Sequence, residues 1–234
     1  MVLQTPLNIS TTNSSEYNTC KELCAYAFDY KTSSTIATVN EGYLSLSYLQ
    51  SQDAQITFNN IPMQVHEVRL YSQTITRFDD ASINGLELYI HHIDTQNQGI
   101  NFMVCVPIMV SDIAPQSNAQ NFIQSILPHL VSTNPDPVAI NQAYSLNDFV
   151  PYATFMTAET PLPYPPYNGE YRSVYFLPNE HVPIVSTSVA QAVRQLLGNP
   201  TLEDAEDYYT PSPSEMMLNP SGSTNPDEAN AGDD

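Results

Sequence analysis

Histidine and cysteine, the side chains that most often hold metals or carry catalysis, are scarce in this sequence. Five histidines occur in 234 residues. His91 and His92 are adjacent, so on a strand they face opposite sides of a sheet and cannot form a single ligand pair. His66 precedes Arg69 by three residues and is expected to face away from it on the strand. A metal site built from His66, His91 and Asp94 is therefore not favoured, and no cofactor is expected.

The three cysteines offer little more. Cys20 and Cys24 are four residues apart and could form a local disulfide or half of a metal site, but no second pair completes a four-ligand zinc site. Two reduced thiols are the favoured reading. Cys105 lies within an apolar run and is expected to be a small core residue. No serine-histidine-acid arrangement is recognisable, and seven glycines are too few for phosphate loops or nucleotide fingerprints.

Three consecutive segments between Val65 and Ile108 predict an antiparallel meander. The first places Val65, Glu67, Arg69 and Tyr71 on one face, and the segment 86–92 alternates in the same way. The third, 102–108, is apolar throughout, which suits a strand covered on both sides. The pair Asn84-Gly85 predicts a tight hairpin turn between the first two strands.

These strands resemble the zinc-binding centre of the α-type carbonic anhydrases. The likeness lies in the segments Val68-Arg69-Leu70-Tyr71 and Glu87-Leu88-Tyr89-Ile90-His91-His92. It implies that Arg69, Tyr71 and Tyr89 occupy the positions of the three zinc-binding histidines. It also implies that Glu87 keeps the type of the residue that supports one of these ligands.

Other parts of the chain resemble the same family in the same order. They extend the likeness over roughly residues 4 to 197 and are Gln4–Ile9, Tyr164–Pro166, Ser173–Leu177, Val182–Ser186 and a helix at 188–197. The implied fold is mostly β, an α-carbonic-anhydrase-like central antiparallel sheet with a few peripheral helices. Within the family, Cys24–Phe28, Tyr43–Tyr48 and Glu67–Tyr71 resemble carbonic-anhydrase-like proteins encoded by large DNA viruses.

The residues at the aligned positions argue against catalysis. A catalytic zinc needs three neutral or anionic ligands around an open fourth position. The guanidinium of Arg69 is permanently positive and has no lone pair to give, and the phenols of Tyr71 and Tyr89 are poor substitutes for imidazole. We expect a closed polar cluster in which Glu87 supplies the charge partner of Arg69. The alternative is a reused pocket that binds a small anion through Arg69.

Composition limits the partners. The chain carries 25 acidic and 6 basic residues, for a net charge of −19. This charge repels phosphate and sulfate, so nucleic acid is not an expected partner. Neither a signal peptide nor a transmembrane segment is expected from the sequence.

One domain is predicted over residues 1–202, followed by an acidic, proline-containing tail over 203–234 that is extended or disordered unless docked. Helices are predicted at 119–130 and 188–197. A proline- and tyrosine-rich stretch and a tyrosine pair in the tail form a candidate interaction surface. Its residues are Tyr164, Pro165, Pro166, Tyr167, Tyr208 and Tyr209.

Together these observations predict a virion structural protein without catalytic activity, a minor component of the capsid or coat layer. Its expected partners are other capsid or coat proteins, with homo-oligomers left open. One alternative is a virion-surface adhesion module for a host receptor or glycan. The net charge opposes sulfated glycans, and a basic patch of Arg69, Arg77 and Arg172 on the folded surface would favour this alternative. A second and less favoured alternative is an active carbonic anhydrase.

Overall fold

A computed structural model describes most of the chain. The described residues are 2–3, 7–11, 17–20, 24–48, 54–95, 99–113, 117–132, 136–161, 170–179, 181–199, 201–202, 210–212 and 214–223. Statements about structure below concern these residues.

Strands dominate the described residues. In chain order they are β1 Val2–Leu3, β2 Asn8–Ile9, β3 Asn18–Thr19, β4 Tyr26–Phe28, β5 Ser33–Asn40, β6 Tyr43–Leu46, β7 Ile56–Phe58, β8 Ile61–Tyr71, β9 Arg77–Phe78, β10 Gly85–Asp94, β11 Asn101–Ser111, β12 Val138–Tyr144, β13 Phe155–Pro161, β14 Glu170–Phe176, β15 Ile184–Ser186, β16 Thr201–Leu202 and β17 Met216–Asn219. The helices are α1 Asn118–Ile126 and α2 Thr187–Leu197, with 3₁₀ turns at Leu127–His129 and Leu146–Asp148.

One large mixed sheet organises the molecule. Its longest path of neighbouring strands runs β12-β5-β6-β8-β10-β11-β14-β13-β17-β3. The centre of the sheet is antiparallel, whereas β11 pairs in parallel with β14 and β15, and β17 pairs in parallel with β3. This architecture confirms the predicted mostly β fold with peripheral helices.

The sheet is covered on both faces. A main core lies between one face and the two helices, and a smaller second core lies on the other face. The second core consists of Leu7, Ile9, Tyr17, Tyr71, Ile75, Phe78, Tyr89, Met103, Cys105, Met156, Ala158, Tyr175 and Met216. Because both faces of the sheet are covered, β10 is buried at every residue except Ile93, and β11 is buried from Phe102 to Ile108.

A β-bulge in β8 changes part of the predicted alternation. Glu67 pairs with His91 and Val65 pairs with His92, so His66 is an extra residue without a register partner. The bulge turns Val65 into the main core. Val65 therefore does not share the face of Arg69 and Tyr71, as simple alternation predicted.

The predicted turn at Asn84-Gly85 is wrong. Gly85 begins β10, and residues 72–84 form a longer connection in which Asp79 and Asp80 have the positive φ angles, 52° and 63°. Gly85 serves close packing, because a Cβ at this position would lie 2.5 Å from the carbonyl oxygen of Ile108 on β11. Gly99, which lies between β10 and β11, has a positive φ of 74°.

Both predicted helices are present and capped. The Ser117 side chain accepts a hydrogen bond from the Gln120 amide at the start of α1. Ser186 accepts from the Val189 amide at the start of α2, and Gly198 ends α2 with a φ of 68°. The apolar faces of both helices pack on the main core. No helix of the described residues has the length and hydropathy needed to cross a membrane.

The N-terminal and C-terminal segments meet at one end of the sheet. Cys20 and Cys24 are joined by a disulfide, so the preference for reduced thiols was wrong. Both sulfurs lie near the Met217 sulfur, at 3.7 and 3.9 Å. Cys105 is a buried free thiol, as expected.

The segment 203–234 contributes a strand to this end of the sheet. β17, which lies within it, pairs with β13 and β3 of the same chain. The division of the chain at residue 202 remains a prediction, but the described part of the tail docks on its own domain.

Candidate functional site

The four positions singled out by the sequence lie next to one another on β8 and β10. In the antiparallel register of these strands, Tyr89 is opposite Arg69 and Glu87 is opposite Tyr71. All four are buried, with exposures of 4% or less. Tyr71 and Tyr89 belong to the second core, which identifies the face of the sheet that the cluster occupies.

The charge partner of Arg69 is Glu67, not Glu87. Arg69 Nε donates to Glu67 Oε1 at 2.7 Å and Arg69 Nη2 donates to Glu67 Oε2 at 3.0 Å. The guanidinium carbon also lies 4.8 Å from the centre of the Tyr43 ring. Glu67 precedes Arg69 by two residues on the same strand, so the period of a strand brings the two side chains to the same face. The predicted partnership with Glu87 was therefore wrong.

Glu87 holds the 72–84 connection. Its Oε2 atom accepts hydrogen bonds from the amides of Ile75 at 2.5 Å and Thr76 at 2.9 Å. Burial raises the pKa of the Glu87 carboxyl, and the bonds from Thr76 and Ile75 oppose that rise. A carboxylate in this role satisfies two buried backbone donors that have no strand partner.

The two tyrosines are neutral packing groups with polar tips. Their rings contact edge to face with centroids 5.3 Å apart, and the Tyr71 ring also contacts Tyr43 at 5.5 Å. The Tyr89 hydroxyl lies 3.3 Å from Thr76 Oγ1. Burial raises the pKa of both phenols above their usual range, with the charge of Glu87 adding to the effect at Tyr89. Neither phenol is therefore disposed to become an anionic ligand.

The neighbouring strands fill the space around this cluster. Tyr89 is opposite Cys105 on β11, and Cys105 is opposite Tyr175 on β14, which in turn is opposite Met156 on β13. All of these side chains belong to the second core. A catalytic zinc site needs lone-pair donors and an open coordination position. The aligned positions present a cation and two neutral phenols within a packed layer, so the residues do not fit the metal.

The bulge at His66 brings the side chains of His66 and His91 together. His66 was expected to face away from Arg69, but its ring contacts His91, which lies on the same face of the sheet as Arg69. The rings of His66 and His91 contact edge to face with centroids 5.1 Å apart, and His91 Nε2 lies 3.1 Å from Asn101 Oδ1. Asp94 does not join them, since its carboxylate accepts from the Ile100 amide. Within the described ranges, no group of three or more histidine, cysteine, aspartate or glutamate side chains could hold a metal ion.

His91 and His92 do face opposite sides of the sheet, as predicted. His92 packs in the main-core layer, where its Nε2 lies 2.9 Å from the hydroxyl of Tyr30, which is itself 2.9 Å from the hydroxyl of Tyr26. Burial lowers the pKa of His91 to about 4 and that of His92 to about 3. Both imidazoles are therefore neutral near pH 7.

Arg69 and Arg172 do not come together in a basic patch that would favour sulfated glycans. Arg172 is opposite Phe102, a main-core residue, whereas Arg69 faces the second core. Arg172 forms an ion pair with Glu159, and Arg69 is neutralised by Glu67. Two of the three arginines thus lie on opposite faces of the sheet, each beside a carboxylate.

The sequence analysis did not predict that Glu67 and Tyr43 contact Arg69, and its candidate interaction surface could not be located. Glu67 could have been found from its spacing to Arg69, because residues i and i+2 share a strand face. Tyr43 could not, because its proximity depends on the pairing of β6 with β8. The candidate interaction residues Tyr164, Pro165, Pro166, Tyr167, Tyr208 and Tyr209 lie outside the described residues.

Comparisons of structures agree with the family motifs. No protein-family model matches the chain, and no curated protein matches it significantly in sequence. An α-carbonic anhydrase from Photobacterium profundum superposes with a TM-score of 0.66 at 17% identity, covering 86% of this chain and 85% of that chain. For a carbonic anhydrase from Chlamydomonas reinhardtii in complex with acetazolamide, the TM-score is 0.69 at 12% identity, with coverages of 93% and 90%.

Dioscorin complexed with ascorbate is also similar, with a TM-score of 0.62 at 10% identity and coverages of 92% and 85%. At these identities the likeness concerns the fold alone. The chain therefore has an α-carbonic-anhydrase-like fold, and its activity must be argued from its own residues.

Proposed function

We propose that this chain is a non-catalytic protein on a carbonic-anhydrase-like scaffold and serves as a structural component of the coat of a large DNA virus particle. The observation that carries the first half is the pairing of Arg69 with Glu67 directly opposite Tyr89. A neutralised cation and a protonated phenol occupy positions that a metal would need as lone-pair donors.

The enzyme alternative draws support from the similar solved structures, which are carbonic anhydrases. The shared fold does not by itself imply this activity, because hydration of carbon dioxide by such a site depends on a metal-bound water with a lowered pKa. The side chains of Arg69, Tyr71 and Tyr89 cannot supply the coordination that produces it. For this reason we favour a binding or assembly role over catalysis.

The coat-protein assignment rests on the resemblance of Cys24–Phe28, Tyr43–Tyr48 and Glu67–Tyr71 to virus-encoded proteins of this fold. Composition is compatible with it, since only 13% of the residues are charged and 15 are tyrosines. Aromatic side chains with polar tips are frequent at protein interfaces. The proposed partners are other coat proteins and further copies of this chain.

Adhesion to a host receptor or glycan is the second candidate, and its structural support is weaker. Binding of an anionic receptor or glycan would need exposed positive charge to offset a net charge of −19. Arg69 is buried, and Arg69 and Arg172 are each paired with a glutamate. A neutral receptor that contacts a surface without these arginines would fall under this candidate.

Two measurements test the proposal. Metal analysis and a carbon dioxide hydration assay on the purified protein are expected to give less than one tenth of an equivalent of zinc and no rate above buffer; stoichiometric zinc with activity would refute the non-catalytic role. Cryo-electron microscopy of intact particles, with the chain identified by mass spectrometry, is expected to place it in ordered repeats of the coat. Its presence only as scattered copies on the exterior would favour adhesion.

A further inference from the structure

The C-terminal clasp, which we define as residues 216–223, completes the sheet at one end. Its strand β17 runs antiparallel to β13, with Met216 opposite Ala158 and Leu218 opposite Met156. Its other edge pairs in parallel with β3. Met216 is fully buried in the second core, so the clasp fills a slot between two strands of the domain.

Polar contacts make this slot specific. The Asn219 side chain donates to the carbonyl of Cys24 at 2.9 Å and accepts from the amides of Ser221 and Gly222. Ser223 Oγ donates to the carbonyl of Pro151 at 2.7 Å. Gly222 has a φ of 76°, and a Cβ there would lie 2.8 Å from the backbone of Ala153. The slot therefore selects this sequence rather than any apolar strand.

The described surface offers little material for an ordinary hydrophobic interface. Its exposed large hydrophobic side chains number four, Ile36, Ile113, Val131 and Tyr152. A protein that assembles with its own copies through such a surface would lack the apolar centre of a stable interface. Exchange of a buried strand avoids this need, because it reuses contacts that already exist within one chain.

We propose that the C-terminal clasp of one copy occupies the slot between β13 and β3 of a neighbouring copy when copies are crowded together, as in a coat layer. This inference rests on the proposed assembly function and names its partner as a second copy of the chain. Thirteen residues, 203–215, separate β16 from β17. Such a length spans at most about 45 Å, enough to reach an adjacent domain.

Mass action decides when exchange occurs. A tether of this length corresponds to an effective concentration of the clasp on the order of 1 mM at its own slot. Below that concentration the contact within one chain prevails, and near it the two arrangements are comparable. Repulsion between copies with a net charge of −19 opposes exchange, and salt weakens that repulsion.

A mixed-cysteine experiment tests the exchange on full-length chains. Met156→Cys is introduced in one tagged chain and Leu218→Cys in another, because these residues are register partners whose side chains contact the second core. The two chains are co-expressed, concentrated from about 10 µM to about 1 mM in salt of about 0.5 M, and mildly oxidised. A disulfide-linked dimer with one copy of each chain is expected, rising at least about tenfold in fraction over this range.

Controls keep the outcome decisive. The double variant Met156→Cys/Leu218→Cys carries both cysteines in one chain and should form a disulfide within that chain at low concentration. A mixture of Ile113→Cys and Leu218→Cys chains measures disulfides formed by random collision, since Ile113 is 82% exposed. A second register pair, Ala158→Cys with Met216→Cys, repeats the test if the first pair fails to fold.

The exchange would be overturned if the double variant forms its disulfide within one chain but the mixed chains at 1 mM form no more dimer than the Ile113→Cys control. It would also be overturned if neither double variant forms a disulfide within one chain. A metal-free, inactive protein without mixed dimers would leave the non-catalytic role in place and remove only the exchange.

Discussion

Arg69 and Glu67, two residues apart on β8, form a two-bond ion pair in which the arginine side chain is 5% exposed and the glutamate side chain 21% exposed. The pair lies where the family resemblance aligns a metal ligand. The Arg69 guanidinium, which cannot bind a metal, is thus stabilised in the interior by the Glu67 carboxylate of the same strand. The consequence is a site whose stability depends on charge balance.

Removing the charge of Glu67 tests this dependence. We expect Glu67→Gln to lower the free energy of unfolding by about 3 kcal/mol, because it leaves the buried guanidinium without a compensating anion. Glu159→Gln is the matched control, since its partner Arg172 is 25% exposed and Glu159 is 58% exposed. That change should cost less than about 1 kcal/mol. Equal costs in urea unfolding would contradict a special role for the buried pair.

Restoring imidazoles tests whether the aligned positions still converge. The Tyr71 and Tyr89 rings are 5.3 Å apart and Arg69 is opposite Tyr89, so Arg69→His/Tyr71→His/Tyr89→His should create a three-histidine zinc site. We expect about one equivalent of zinc to be retained after dialysis. The control Arg69→His/Tyr71→His/Tyr89→Phe lacks the third ligand and should bind zinc more than about tenfold more weakly. Indistinguishable affinities of the two variants would show that the three positions do not converge.

The Glu87 carboxyl is expected to anchor the 72–84 connection rather than a ligand. Glu87→Ala leaves the buried amides of Ile75 and Thr76 without their acceptor and should cost about 3 kcal/mol. Glu87→Gln keeps an acceptor oxygen and serves as the control. The pKa of Glu87 is raised in the folded protein. The contribution of this carboxyl to the free energy of unfolding of the wild type therefore decreases as pH rises above its unfolded pKa, near 4.5.

The stability of Glu87→Gln relative to wild type should therefore increase from pH 4.5 to pH 8. Chemical denaturation at several pH values measures this difference. A constant difference across the range would exclude a buried, titrating carboxyl at this position.

The buried histidines predict loss of stability in acid. The pKa of His91 is lowered to about 4 and that of His92 to about 3, so both bind protons less tightly in the folded chain than in the unfolded chain, where the value is 6.5. Their contribution is fully present above pH 6.5 and is lost as pH falls, toward 4 for His91 and toward 3 for His92. The loss approaches about 1.4 kcal/mol per pH unit for each histidine.

His91→Gln removes one of the two titrations and should flatten the dependence of unfolding free energy on pH between 6.5 and 4. His66→Gln is the control, because His66 is exposed beside the same ring. A slope unchanged in His91→Gln would mean that His91 is protonated as readily in the folded protein as in the unfolded chain.

Spacing along the sequence was sufficient to predict the central strands β8, β10 and β11, both helices and the shared strand face of Arg69 and Tyr71, because these properties follow from the periods of local backbone structure. The motif comparison also predicted the fold. Strand alternation could not predict the faces of Val65 and His66. A single-residue bulge reverses the face that each side chain takes, and this bulge arises only where β8 pairs with β10.

Tertiary structure decided the partners. Glu67 rather than Glu87 neutralises Arg69, and Glu87 binds two loop amides, because the course of residues 72–84 brings those amides to its carboxylate. Likewise, composition marked the C-terminal segment as unable to fold alone, whereas the open edges of β13 and β3 determine that residues 216–219 dock as a strand. Contacts between residues distant in sequence depend on the register in which strands pair and on the course of the connections between them, and local patterns do not determine either.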